Sequence, residues 1–385
     1  MCTWFRFFAL AVLLMALGNV LFVKLYGSLA AFPQVGPWHT SHFMFSYQDL
    51  GFVKRGLVGT LLNIDNDATF PAAAVLFATA TALAFAALVA AAALRAPCDT
   101  ARAFILLSPA VFLQAGYDLG RLDTVNYVLA LFIFLSGSRW AVLLAPLTIL
   151  VHEAALVSVL PLVVSVHVLR FGIQRELMLC CAASVMVLAA TLLFGRYEGS
   201  VPLAEIYPNQ DPMALEVLTN GILDNIAISL EEFKRINEVF KVFWAMFAAI
   251  LLYYACILLH IGLAFGRTRL FFAVAASLPP LCLMVLGTDW ARWVALCTVN
   301  ALLFHLFTRD SAPTGAARER HLLEKNRPIV MAVAVVSALS GPMGVTTPPI
   351  LTDLVWRLAG YPRAVHEINP YDRFDLSMNA KLLLD

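Results

Sequence analysis

Long apolar runs alternate with short polar connections along most of this chain. A helix needs roughly 20 apolar residues to cross a hydrocarbon core of about 30 Å. The runs that reach or approach this length predict about eleven membrane-crossing helices. These are Phe7–Phe32, Phe70–Leu94, Phe104–Ala115, Thr124–Gly137, Trp140–Val151, Ala155–Leu169, Leu177–Phe194, Val242–Phe265, Leu270–Leu286, Trp293–Phe307 and Pro328–Val345.

The first run has an alternative interpretation as a signal peptide. Arg6 precedes it, and Ser28-Leu29-Ala30 loosely fits a cleavage site. The run is long and continues past Lys24, which favours an uncleaved first helix.

The basic residues predict the orientation of these helices. Loops on the cytoplasmic side of membrane proteins carry an excess of Lys and Arg. If the loops that are rich in basic residues are cytoplasmic, the N-terminus is inside and the C-terminus outside. These residues are Arg95, Arg102, Arg139, Arg170, Arg175, Arg267 and Arg269 in short connections, and Arg309, Arg318, Arg320, Lys325 and Arg327 in one longer loop.

The stretch 140–169 decides this assignment. If this stretch forms one long helix, Arg170 and Arg175 lie outside and the orientation of every later segment is inverted. If it forms a short or re-entrant hairpin that turns at His152-Glu153, all the basic loops lie inside. We therefore predict the hairpin.

Composition agrees with a membrane protein. Apolar residues make up 61% of the chain, charged residues 13%, and the mean hydropathy is +0.82. A soluble domain carries about 25% charged residues. The net charge of +1 shows no basic excess of the kind that nucleic-acid binding needs. We expect one transmembrane domain over 1–345 and an extracytoplasmic tail over 346–385, in a multi-pass protein of the bacterial inner or plasma membrane.

The outer loop 196–240 contains a second kind of pattern. Its first half is broken by prolines, whereas Met213–Phe240 places apolar residues on one side of a helix: Leu215, Leu218, Ile222, Ile226 and Leu230. We predict an amphipathic helix that lies over the outer mouth of the bundle.

Four polar clusters fall on the predicted outer side, next to the membrane boundary. Ionisable residues at such depth are costly, so they are functional candidates. Glu153 is the strongest, because apolar residues flank the His152-Glu153 pair on both sides. The candidates are Asp49, Lys54 and Arg55; Asp118, Arg121 and Asp123; His152 and Glu153; and Asp289, Trp290 and Arg292.

Each cluster also has a purely structural interpretation. The structural alternatives are helix caps at Asp123 and Asp289, ion pairs of Asp118 with Arg121 and of Asp289 with Arg292, headgroup anchoring by Lys54 and Arg55, and an interfacial position for Trp290.

No disulfide, metal or other cofactor is expected from the sequence. The seven cysteines show no disulfide framework, and His152-Glu153 lacks the second histidine of a zinc-protease helix.

Sugar transfer from a lipid-linked phosphate is one chemistry that uses carboxylates, arginines and a histidine at an outer membrane surface. A carboxylate or imidazole deprotonates the acceptor hydroxyl, and guanidinium groups hold the phosphate leaving group. The layout resembles GT-C-type glycosyltransferases and bacterial surface-polysaccharide polymerases, in which an acid follows the first span. The resemblance implies that Asp49 is the base and that Lys54, Arg55, Arg121 and Arg292 contact phosphate.

Two short strings carry the rest of the resemblance, which covers about thirty residues. Val151-His152-Glu153 and Asp289-Trp290-Ala291-Arg292-Trp293 are similar to strings in polymerase-like membrane proteins. GT-C enzymes often bear a large C-terminal outer domain, whereas only about forty residues follow the last predicted span here. This departure favours a compact transferase or polymerase.

We therefore expect transfer from a polyprenyl-phosphate or polyprenyl-pyrophosphate sugar donor to a glycan acceptor at the outer face. The expected catalytic residues are Asp49, His152 and Glu153. The alternatives are a transporter or flippase for a lipid-linked or anionic substrate, and an assembly subunit without an active site. The expected binding residues are Lys54, Arg55, Asp118, Arg121, Asp123, Asp289, Trp290 and Arg292.

The orientation makes a direct labelling prediction. Cysteines introduced at Asn66, Gln210 and Glu367 should react with a membrane-impermeant thiol reagent in whole cells, whereas a cysteine at Ala316 should react only after lysis. The measurement is labelling of each single-cysteine variant before and after lysis. Labelling of intact cells at Ala316 but not at Gln210 would invert the orientation.

Overall fold

The fold is built from helices alone in the part of the chain that the computed structural model describes. The described residues are 12–13, 35, 37–63, 70–94, 96–112, 116, 119–208, 210, 212–219, 243–285, 290–309 and 312–340. No strand occurs in these ranges, which confirms the all-α fold class for them. Nearly all of the predicted first span, most of the predicted outer-loop helix and the tail 346–385 lie outside them.

In chain order the helices are α1 (Pro37–His42), α2 (Tyr47–Leu50), α3 (Gly56–Leu62), α4 (Phe70–Leu94), α5 (Asp99–Leu106), α6 (Pro109–Phe112), α7 (Leu122–Leu135), α8 (Leu147–Val151), α9 (Ala155–Ser158), α10 (Leu160–Phe171), α11 (Arg175–Phe194), α12 (Leu203–Ile206), α13 (Pro212–Thr219), α14 (Phe243–Phe265), α15 (Arg267–Ser277), α16 (Trp290–Thr308), α17 (Pro313–Lys325) and α18 (Arg327–Ser340). Two 3₁₀ helices, Arg139–Leu144 and Pro279–Val285, precede α8 and follow α15.

Two helices in the described ranges are long and apolar enough to cross a membrane. They are Ala72–Ala91, within α4, and Arg175–Phe194, which is α11. On α11, Met186 and Leu193 are 66% and 71% exposed, so this helix presents an apolar face away from the bundle. Shorter apolar helices are Leu122–Leu135, Arg139–Val151, Ala155–Phe171, Ile250–Phe265, Arg292–Thr308 and Arg327–Ala338.

Several of the apolar runs are interrupted where the sequence pattern predicted continuous helices, and two of the breaks lie at Pro109 and Pro279-Pro280. The run 104–115 is divided between α5 and α6, and Pro109 begins the second piece. The run 270–286 changes to a 3₁₀ helix at Pro279-Pro280. Proline lacks an amide hydrogen and disfavours a helical conformation in the residue before it, so each break has a local cause.

The chain reverses direction at His152-Glu153. Arg139 Nε lies 3.0 Å from Glu176 Oε1, and Arg170 Nη1 donates a hydrogen bond of 2.8 Å to the Phe134 carbonyl oxygen. The two ends of the stretch 139–171 therefore lie together, at the C-terminal end of α7. This geometry matches the predicted hairpin and not a single long helix.

Arginine side chains cap the same end of the bundle. Arg170 Nε and Nη2 donate to the Phe307 carbonyl at 3.2 and 2.9 Å, and Arg269 Nη1 donates to the Thr308 carbonyl at 2.5 Å. The last carbonyl groups of a helix have no partner within it and carry partial negative charge, so cations stabilise them. Arg170 and Arg269, from two of the short basic connections, thus cap the C-terminal ends of α7 and α16.

The longer basic connection contains a helix that the sequence pattern did not predict. Helix α17 begins at Pro313, and proline is well suited to the first turn because its missing amide hydrogen has no helical partner there. Gly315, Glu319 and Leu323 are buried and recur every four residues, so they lie on one face. Because one of these buried positions is a glutamate, the spacing of apolar residues alone did not indicate the helix.

Candidate functional site

The segment α1–α3 places Lys54 and Arg55 at the end of the bundle opposite the capping arginines. The Ser46 hydroxyl accepts a hydrogen bond of 3.1 Å from the Gln48 amide and so caps α2. Gly59 lies against the carbonyl oxygens of Phe43 and Phe45, where no side chain would fit. This close approach packs α3 onto the preceding chain and fixes the turn that carries the two cations.

Arg55 forms an ion pair with Glu153 across the bundle. Arg55 Nε lies 3.1 and 3.0 Å from the two carboxylate oxygens, Nη2 also contacts Oε1, and both side chains are 13% exposed. Arg55 Nη1 is 2.9 Å from His42 Nε2. Arg55 has a φ of 64°, a left-handed conformation that costs a non-glycine residue about 1–2 kcal/mol, and the contact with Glu153 holds it there.

His152 is a neutral imidazole with a defined tautomer. Its Nδ1 accepts a hydrogen bond of 3.1 Å from the Ala154 amide, so the ring proton resides on Nε2. Burial, with a further contribution from the charge of Arg55, lowers the pKa of His152 to about 4. At neutral pH the ring is therefore a hydrogen-bond donor at Nε2 rather than a base at that atom.

Glu153 is ionised and fully engaged. Burial alone would raise its pKa, but the charge and hydrogen bonds of Arg55, with contributions from His152 and Lys54, lower the pKa well below its usual value. A carboxylate in this state holds protons weakly. Glu153 is therefore suited to positioning Arg55 and poorly suited to accepting a proton.

A second buried ion pair joins Asp123 of α7 to Arg292 of α16. Arg292 Nε donates to Asp123 Oδ2 at 2.8 Å, and the two side chains are 8% and 1% exposed. The guanidinium lies over the Trp293 ring, 4.4 Å from its centroid. The interpretation of Asp123 as a helix cap was wrong: Arg121 occupies the cap position, and Asp123 lies in the first turn.

The two ion pairs surround one point at the turn of the hairpin. The charges of Arg55, Glu153, Asp123 and Arg292 all act on the His152 ring. Arg55 of the first predicted cluster, Asp123 of the second, His152 and Glu153 of the third and Arg292 of the fourth therefore lie near one another. Asp118, Asp289 and the side chain of Trp290 lie outside the described residues.

Lys54 belongs to the interior of this end rather than to its surface. Its side chain is buried, and its amide donates a hydrogen bond of 2.9 Å to the Gly195 carbonyl. Its charge acts on Glu153. Headgroup anchoring by Lys54 and Arg55 was therefore the wrong interpretation, because both side chains point inward where a headgroup anchor is solvated.

Asp49 stands apart from the two ion pairs. It is exposed on α2, where one carboxylate oxygen accepts a hydrogen bond of 3.1 Å from the Tyr207 hydroxyl. That hydroxyl also lies 3.3 Å from the Met44 carbonyl. Helix α13, the described start of the predicted amphipathic helix, packs nearby through Leu215 and Leu218, in the same apolar cluster as Tyr207.

Sequence reasoning missed a polar network one turn below Asp123. The Tyr127 hydroxyl donates to Asn300 Oδ1 at 2.9 Å, and Asn300 Nδ2 donates to the Ala276 carbonyl at 3.0 Å and contacts the Ser158 carbonyl. This network links α7, α9, α15 and α16. The sequence does indicate that Asn300 is unusual, because it is an isolated amide in an apolar helix. Its hydrogen-bond partners could not be identified from the sequence, because they lie 24 to 173 residues away in the chain.

The comparisons with known proteins assign no family. No protein-family model, no curated protein and no solved structure matches this chain. Function is therefore inferred from the residues and their geometry.

The Arg55–Glu153 ion pair predicts that removing the charge of Glu153 strongly destabilises the folded protein. Glu153→Gln should lower the free energy of unfolding by about 3–5 kcal/mol, because it leaves the buried Arg55 without a counter-charge. Arg55→Gln combined with Glu153→Gln should recover part of that loss. The measurement is thermal unfolding in detergent, with the exposed Glu198→Gln as matched control. Equal stability of the Glu153 and Glu198 variants would contradict the ion pair.

Proposed function

We propose that this protein is a multi-pass membrane glycosyltransferase or polymerase of the bacterial inner or plasma membrane. It transfers a sugar from a polyprenyl-phosphate or polyprenyl-pyrophosphate donor to a glycan acceptor at the outer face. The observation that carries the proposal lies at one end of an apolar helix bundle. There Lys54 and Arg55 act on Glu153, Arg121 and Arg292 act on Asp123, and Arg55 and Arg292 both act on His152.

The membrane part of the proposal comprises about eleven crossing segments, with the N-terminus inside and the C-terminus outside. It is supported by the two full-length apolar helices, the shorter apolar helices and the exposed apolar face of α11. The arginine-capped end carries the basic connections, so the positive-inside bias favours a cytoplasmic position for it. The candidate site, at the opposite end, then faces outward.

The cationic side chains gathered at the site favour a phosphate-bearing ligand. Arg55 and Lys54 act on the Glu153 carboxylate, and Arg292 and Arg121 act on the Asp123 carboxylate. The His152 Nε2–H adds a neutral donor. Guanidinium groups bind phosphate oxygens through paired hydrogen bonds, which suits a lipid phosphate held at the membrane boundary.

The same region offers polar groups that a sugar hydroxyl would satisfy. Asp123 Oδ1 and both polar atoms of the Asn126 side chain are buried and have no hydrogen-bond partner among the described residues. Asp123 and Asn126 are three residues apart on α7, so they lie on one helical face. Buried polar atoms are normally hydrogen-bonded, and a bound hydroxyl provides both a donor and an acceptor.

We assign the general base to Asp49. Glu153 is ruled out as a strong base by its contact with Arg55, and His152 carries its proton on Nε2. The exposed Asp49 accepts the proton of the acceptor hydroxyl as that oxygen bonds to the anomeric carbon. The bond from that carbon to the donor phosphate oxygen breaks, and the arginines hold the departing phosphate.

A transporter or flippase remains the second candidate. The interruption of apolar runs at Pro109, His152-Glu153 and Pro279 is the specific observation in its favour, since transporters use discontinuous helices at their binding sites. The described residues of the predicted polar clusters that form buried ion pairs, Arg55 with Glu153 and Asp123 with Arg292, lie at the same end of the bundle, which favours transfer instead. Uptake of donor into vesicles without a covalent product would support transport.

The first test concerns the assigned base. Asp49→Asn should lower transfer from a polyprenyl-phosphate sugar to acceptor by about 10²–10⁴-fold while the melting temperature stays near that of wild type, because Asp49 is exposed. The exposed Glu205→Gln on α12 is the matched control and should retain activity. Undiminished transfer by the Asp49 variant would remove Asp49 from the reaction.

The second test concerns the phosphate contact. Arg292→Lys keeps a positive charge beside Asp123 but loses the two-pronged guanidinium, so it should lose most of the transfer activity while donor binding weakens. Binding and transfer are measured on the same folded sample in detergent. Full activity in the lysine variant would limit Arg292 to an ion-pair role.

A further inference from the structure

A second polar cluster lies at the arginine-capped end of the bundle, away from the proposed transfer site. It consists of His260 on α14, His305 on α16 and Glu319 on α17. His305 follows Arg292 by thirteen residues on the same helix, a separation of about 20 Å along the axis. The cluster is therefore distinct from the site around His152.

Both imidazoles present their Nε2 atoms to one carboxylate oxygen. Glu319 Oε1 lies 2.8 Å from His305 Nε2 and 3.5 Å from His260 Nε2, and the Glu319 side chain is 2% exposed. The three atoms available as ligands all lie within 4.8 Å of one another. Arg309 Nε lies 2.8 Å from the other oxygen, Oε2, and so orients Oε1 toward the histidines.

Hydrogen bonding accounts for only part of this arrangement. His260 Nε2 is buried and too far from Glu319 Oε1 for a well-formed hydrogen bond, and it has no hydrogen-bond partner among the described residues. A separation of 3.5 Å is close to the edge of a tetrahedron around a zinc ion, about 3.3 Å for bonds of about 2.0–2.1 Å.

We propose that His260, His305 and Glu319 bind a divalent transition-metal ion, with Zn²⁺ the best match, that ties α17 to α14 and α16. Two imidazole nitrogens and one carboxylate oxygen form a donor set that zinc prefers, with a fourth position left for water. Binding requires both ring protons to reside on Nδ1 and the His305–Glu319 pair to widen. Arg309 serves as the outer partner that holds the ligating carboxylate.

Packing between α17 and α14 places Glu319 close to His260 and His305. Gly315 of α17 lies directly against the Phe265 ring at the end of α14, where a larger side chain would clash. Glu319 follows Gly315 by one helical turn on the same face. The ligands come from positions 260, 305 and 319, which is why no compact metal motif is present in the sequence.

The test uses the full chain, purified without a polyhistidine tag and stripped with a chelator, and titrates it with Zn²⁺ alone. We expect one Zn²⁺ per chain by calorimetry and by metal analysis. His305→Ala and Glu319→Gln should each weaken binding by roughly tenfold or more. His321→Ala, which alters an exposed histidine on the same helix, is the matched control and should bind like wild type.

Two further readouts keep the test decisive if a variant fails to fold. Zn²⁺ should raise the melting temperature of wild type and of His321→Ala, and Co²⁺ bound to wild type should show the visible bands of a tetrahedral site with nitrogen and oxygen ligands. Absence of stoichiometric Zn²⁺ binding by wild type would overturn the proposal. So would equal binding by wild type and a folded Glu319→Gln variant.

Discussion

The burial of charge controls the architecture of this protein. Arg55–Glu153 joins positions 98 residues apart, and Asp123–Arg292 joins positions 169 residues apart. Removing one partner of such a pair costs several kcal/mol, because the other charge is left in a medium that solvates it poorly. Each pair therefore fixes where two distant parts of the chain meet, and the turn at His152 lies beside the Arg55–Glu153 pair.

The arginine side chains have different partners at the two ends of the bundle. At one end, Arg170 and Arg269 contact backbone carbonyls at the ends of α7 and α16, which neutralises the partial charges of the helix termini. At the other end, Arg55 and Arg292 contact the side-chain carboxylates of Glu153 and Asp123. The first arrangement stabilises helix ends, and the second forms the proposed transfer site.

The hairpin connects these two arrangements. Its turn carries the His152 ring, whose tautomer the Ala154 amide sets, and its two ends are held by Arg139 and Arg170. The turn also carries Glu153, which pairs with Arg55, so the His152 ring lies next to one of the two ion pairs. The proposed assignment of proton transfer to the exposed Asp49 follows from this division between fixed charges and an accessible carboxylate.

The sequence by itself determined the all-α class of the described residues, the approximate limits of the longer apolar helices and the candidacy of Glu153, because apolar run length and an isolated charge are local properties. The bounds Phe70–Leu94 were predicted to the residue. Only the tertiary structure decided that Arg292 pairs with Asp123, that Lys54 points inward and that Glu319 meets two histidines. Those contacts depend on which helix faces which across long chain separations, and no local pattern encodes that choice.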